Sequence, residues 1–165
     1  MIRARLAVLL TLGLAGCATV SEQLPSPPPP PPPPVEVSSI NGLGAFRTYD
    51  GGYAACAGLS VLLMPETSLT RARMLALYGS DEHIMAPIAV VKARQVKLGP
   101  PPAAAVNATQ CDGDNRFGFS DLDAGGYFLI ARERVRTAAG GQEDMVVMQH
   151  LYLRTGEARQ VRLAQ

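Results

Sequence analysis

Asp112-Gly113-Asp114-Asn115-Arg116-Phe117-Gly118-Phe119-Ser120-Asp121-Leu122-Asp123-Ala124-Gly125-Gly126-Tyr127-Phe128-Leu129-Ile130-Ala131 carries the clearest periodicity in the chain. From Arg116 to Ser120 the residues alternate, with Phe117 and Phe119 on one face, as a half-buried strand requires. The Asp112–Asn115 run ahead of it has the chemistry of a tight hairpin turn. Leu122 to Gly126 breaks the pattern, and Tyr127 to Arg132 resumes as a second strand.

The same punctuation continues in both directions. Gly44 to Tyr49 reads as a strand ended by Asp50-Gly51-Gly52, and Leu59 to Met64 as another stopped by Pro65. Within residues 67–78, Thr67 or Ser68 could cap a short helix ending at Gly79, although the apolar positions form no clean helical face. Ile88 to Leu98 alternates as a strand and runs into Gly99-Pro100-Pro101-Pro102. Met145 to Leu153 and Ala158 to Leu163, separated by Thr155-Gly156-Glu157, complete the set. The expectation is a mainly β domain over residues 40–165, a seven-stranded antiparallel β-sandwich with one short helix.

Residues 112–131 are similar to the D-x-x-G-x-F-x-F-x-x-L-x-x-G-x-Y-x-L-x-A signature of carboxypeptidase regulatory-like domains. Ala57 to Pro65 resembles their earlier G-x-x-V-x-L strand, and Gly140-Gly141 through Val161 resembles the ending of bacterial members. The resemblance implies a transthyretin-like (prealbumin-like) sandwich. Its signature residues are scaffold, aromatics for a sheet–sheet core and glycines for turns, so it brings no catalytic site.

The N-terminus reads differently. Arg3 and Arg5 precede the apolar run Leu6 to Leu14, and Ala15-Gly16 then lead to Cys17, the layout of an export signal over residues 1–16. Leu14-Ala15-Gly16-Cys17 resembles the lipobox of bacterial lipoproteins. That likeness implies cleavage before Cys17, acylation of its thiol and of the new amine, and a membrane anchor through lipid. Ala18 follows, where Asp would resemble an inner-membrane retention signal, so the expected address is the outer membrane of the cell envelope. Residues 17–39 form a linker holding the unbroken run Pro27–Pro34, a polyproline II rod of about 25 Å.

Composition narrows the remaining choices. The formal charge of +1 falls to about −1 without Arg3 and Arg5, which gives no reason to expect a nucleic-acid partner. Arg132, Arg134 and Arg136 alternate on one strand face with Glu133 between them. A solvated sheet face is the plain reading there, an anion site the sharper one. Cys56 and Cys111 form an even pair in an exported protein, a disulfide candidate, with two small buried thiols as the alternative.

Chemistry is sparse. His83 and His150 are far apart, and Asp81-Glu82-His83 reads as a solvated loop rather than a metal site. Asp112, Asp114 and Asn115 lack calcium-loop spacing. No nucleophile elbow, zinc-protease helix or phosphate loop is present, so neither catalytic residues nor a cofactor is expected. There is no tryptophan, but Tyr49, Tyr53, Tyr78, Tyr127 or Tyr152 could supply a sugar-stacking ring. The leading expectation is a non-enzymatic lipoprotein whose sandwich contacts an envelope partner protein or supports structure; the alternative is a module binding glycan or peptidoglycan.

Overall fold

A computed structural model of the chain describes residues 36–100 and 106–163. The expected signal 1–16, Leu14, Ala15, Gly16 and Cys17 of the lipobox, and the Pro27–Pro34 run lie outside the described residues. In chain order the elements are β1 (Ser38–Leu43), β2 (Ala45–Arg47), β3 (Tyr53–Ala55), β4 (Ser60–Pro65), α1 (Ser68–Tyr78), β5 (His83–Pro87) and α2 (Ile88–Leu98). They continue with β6 (Asn107–Gln110), β7 (Arg116–Leu122), β8 (Gly125–Arg136), β9 (Gln142–Leu153) and β10 (Ala158–Arg162). The described chain is mainly β, a sandwich-like pair of sheets with two helices.

β8 is the spine of the larger sheet. It runs antiparallel to β9 along its whole length, while its other edge pairs with β4 near its start and β3 near its end. β2 extends β3, β6 extends β4 and β5 extends β9. In the smaller sheet β1 lies between β7, antiparallel, and β10, parallel. The described residues thus hold ten strands, where seven antiparallel ones were expected. Short segments such as β3, β5 and β6 take strand form from the backbone beside them rather than from their own alternation.

Two cores follow from this layering. Between the sheets, Ile40, Phe117 and Phe119 pack on Val61, Leu63, Leu129 and Val147, the two phenylalanine rings meeting edge to face at 6.3 Å. Each such buried side chain stabilises the fold by about 1.5–3 kcal/mol. On the outer face of the larger sheet, Phe128, Ile130 and Met148 are covered by Met74 and Leu77 of α1 and Val91 of α2.

The helices differ in how well local chemistry announces them. Thr67 Oγ1 accepts from the Thr70 amide at 3.0 Å and Thr70 Oγ1 accepts from the Thr67 amide at 2.7 Å, a reciprocal cap. Gly79, at φ 78°, closes α1 by donating to the Leu75 carbonyl. Ile88 to Leu98, expected as a strand, is helical instead. Pro87 at its start has a φ suited to helix entry, and Ala, Lys, Arg, Gln and Leu favour the helix. The helices also exchange arginines: Arg94 donates to the Leu77 carbonyl at 2.8 Å, and Arg73 to the Gly99 carbonyl at 2.7 Å.

The turn at Asp112–Asn115 also departs from expectation. Asp112 Oδ1 accepts from the amides of Asp114 and Arg116, so the tight turn forms. It does not join a hairpin within one sheet, however; it carries the chain from β6 of the larger sheet to β7 of the smaller. Asn115, in left-handed backbone at φ 61°, sends Oδ1 across to accept from the amides of Cys56 at 3.1 Å and Ala57 at 2.9 Å. Beside it Cys56 and Cys111 are joined in a disulfide, Cα–Cα 5.7 Å.

Alternation along β8 points Glu133 into the sandwich, where it is fully buried. Neither carboxyl oxygen has a hydrogen-bond partner among the described residues, and burial raises its pKa to about 8. The folded protein therefore holds this proton more tightly than the unfolded chain. Its stability should be full below about pH 4.5 and fall as pH rises towards 8, at roughly 1.4 kcal/mol per tenfold change in proton affinity. Glu133→Gln should flatten that decline, read as thermal midpoints between about pH 5 and 8. Identical slopes in the two proteins would show that Glu133 does not set the pH response.

Candidate functional site

Two regions of the outer face concentrate polar side chains. At one end, Glu66 just after β4 accepts from Arg71 of α1 at Nε, 3.0 Å, and Nη2, 2.7 Å. Its second oxygen lies 2.7 Å from His150 Nε2, and Arg71 also pairs with Asp81. His150 lies against the Phe128 ring, with centroids 5.1 Å apart. Gly126 makes room for this group, because a Cβ there would stand 1.9 Å from Glu66 Oε2. The Arg71 and His150 hydrogen bonds hold the Glu66 carboxyl below its ordinary range, and Glu66 and Asp81 in turn raise the Arg71 guanidinium.

These charges satisfy one another, so the cluster fastens α1 to the sheet. It was invisible as a unit in the sequence, where Glu66 and His150 are 84 positions apart. His83 opens β5, opposite Gln149 in register and next to His150's strand position. Among the described residues no group of three or more His, Cys, Asp and Glu side chains is placed to hold a metal ion.

The other end of the same face is open. Arg132, Arg134 and Arg136 are exposed, continuing outward the row that begins with buried Phe128 and Ile130. Register places Tyr53 beside Arg136, Arg47 beside Tyr53, and Gln142 on the far side of Arg136. Tyr53, Ala55, Ala57, Arg134, Arg136 and Gln142 line a groove of about 260 Å³. Tyr53 is 46 % exposed, so its ring is available, whereas Tyr78 and Tyr127 are buried. A second groove, on the smaller sheet between Arg116 and Arg162, has only the buried Phe117 as its aromatic lining residue.

The electrostatics of the open end turn on Glu133. In sequence it sits among the arginines and looks like their counter-charge, but the pleat sends it to the opposite face. Asp144 lies opposite Arg134 in register, yet no salt bridge joins them. Among the described residues none of Arg47, Arg132, Arg134 and Arg136 forms an ion pair. Planar, unspent guanidinium groups, a tyrosine ring and a carboxamide over a floor of alanines can donate to hydroxyl or anionic oxygens while a flat face stacks.

The architecture is that of a β-sandwich with a helical layer over half of one sheet. A solved structure shares this fold: a protein from Pseudomonas aeruginosa described as a "putative carbohydrate binding protein" superposes with a TM-score of 0.54 at 19 % identity. The match covers 79 % of this chain and 90 % of that one. No family model and no curated protein matches the chain.

The fastening cluster gives a direct test. Arg71→Met should let the Glu66 carboxyl titrate nearer its ordinary range, followed by carboxyl-carbon NMR. Stability contributed by the depressed carboxyl, present at neutral pH and lost on acidification, should fall with it. An unmoved Glu66 titration would reassign its depression to His150.

Proposed function

We propose that this chain is a non-enzymatic, lipid-anchored envelope protein that binds carbohydrate through the open half of its larger sheet. The observation that carries the reading is the juxtaposition of exposed Tyr53 with Arg134, Arg136 and Gln142 around one groove. Sugar rings present apolar C–H faces that stack on an aromatic ring and hydroxyls that take hydrogen bonds from guanidinium and amide groups. The fold likeness to a protein described as binding carbohydrate supports it, as does the resemblance of residues 112–131 to carboxypeptidase regulatory-like domains. The lipobox-like Leu14-Ala15-Gly16-Cys17 and the proline run supply an anchor and a spacer for such a module at the outer membrane.

One observation favours contact with an envelope protein instead. Leu69 and Leu75 of α1 and Val96 and Leu98 of α2 are exposed, Val96 by 84 %. In-cell crosslinking that traps a partner on these helices, with no retention of the protein by glycan, would favour that reading.

The full-length, detergent-solubilised protein should co-sediment with purified peptidoglycan sacculi or bind members of a polysaccharide panel. Tyr53→Ala should weaken that binding about tenfold, the equivalent of 1.4 kcal/mol. Unchanged affinity in the variant would remove this face as the site. Separately, Cys17→Ser should shift the protein from the detergent-extracted membrane fraction to the soluble fraction. A variant still extracted only by detergent would refute the lipid anchor.

A further inference from the structure

Resting on the carbohydrate-binding reading, we infer that the ligand is an acidic polysaccharide whose sugar carboxylates are bound by the Arg132–Arg134–Arg136 ladder. Alternate residues of one strand lie about 6.6 Å apart, so the three side chains emerge from one side along about 13 Å of β8. Arg47 adds a fourth cation beside Tyr53 on the adjoining strands. A neutral glycan would leave this row of charge unmatched; a chain bearing carboxylates along its length offers it several counter-charges at once. The guanidinium fork suits a carboxylate in particular, since two parallel N–H groups meet its two oxygens.

The ladder's surroundings point the same way. Glu133 is withdrawn into the core, Asp144 makes no ion pair with Arg134, and among the described residues the cluster under α1 and α2 takes in Phe128 and Ile130 of β8 but none of the three arginines. In the helical layer of the same sheet, arginines are consumed internally: Arg71 by Glu66 and Asp81, Arg73 and Arg94 by the Gly99 and Leu77 carbonyls. The ladder is therefore free to neutralise an external anion, and the groove beside it supplies the ring against which the sugar lies.

The test uses the full-length protein and two matched pairs, polygalacturonate with its methyl ester and dextran sulfate with dextran. The protein should bind polygalacturonate and lose at least about tenfold on esterification. Arg134→Ala and Arg136→Ala should each weaken polygalacturonate binding about tenfold without changing the thermal midpoint, and Lys92→Ala on α2 should leave it unaltered. Binding of acid and ester with equal affinity would overturn the inference while keeping the carbohydrate reading. Binding of dextran sulfate without polygalacturonate would overturn the carboxylate assignment. Retention by none of these polymers nor by sacculi would overturn the inference and the reading it rests on together.

Discussion

The sandwich depends on the seam where Cys56, Cys111, Gly44 and Asn115 meet. β1 and β2 belong to different sheets, and Gly44 is the residue between them. A Cβ at Gly44 would stand 2.4 Å from Cys56 Sγ and 2.9 Å from Glu133 Oε1, so only glycine allows the backbone to pass there. Asn115 makes the second crossing, and its carbonyl accepts from the Gly44 amide at 2.9 Å while its side chain holds Cys56 and Ala57. The disulfide then ties the β3–β4 connection, at Cys56, to the segment of the second crossing, at Cys111. Closing a loop of 55 residues removes enough unfolded-chain entropy to stabilise the fold by about 4 kcal/mol.

With the seam fixed, β8 can serve two faces along its whole length. Its inward residues fill the sandwich, and its outward ones divide the exposed side of the larger sheet. Phe128 and Ile130 require cover, which α1 and α2 provide; Arg132, Arg134 and Arg136 do not, and among the described residues they stay exposed. The boundary falls where apolar gives way to charged residues in one alternating row. The helical layer and the open groove are thus consequences of one strand's sequence, and the Glu66–Arg71–His150 group pins the layer at its far end.

Much of this was legible where the controlling chemistry is local. Thr67 and Gly79 mark α1 because cap and stop act within one turn of the residues that form them. Phe117 and Phe119 mark β7 by strict alternation. α2 misled because Ile88, Val90, Val96 and Leu98 mimic a two-residue period, whereas what the helix buries is Val91, with Arg94 three residues on bonding α1. The Asp112–Asn115 turn has hairpin chemistry, and nothing local says that Asn115 reaches a partner 59 residues away. The arginine row was visible; its freedom from Glu133 was not, since that depends on which side of β8 meets the other sheet. Among five tyrosines, burial alone singles out those able to meet a ligand.

Burying a carboxyl without a partner is a costly way to build a core, and a leucine or valine at position 133 would serve the packing better. The same carboxyl at an outward position would have neutralised the arginine row. Kept inward and protonated, Glu133 leaves Arg132 and Arg134 without a counter-ion on their own strand and adds no negative charge behind the ladder. As pH climbs towards about 8 the buried group is driven to ionise, so the face should be held most firmly under acidic conditions and progressively less so as pH rises towards 8. That couples the weakest point of the core to the strength of the surface above it through a single residue of β8.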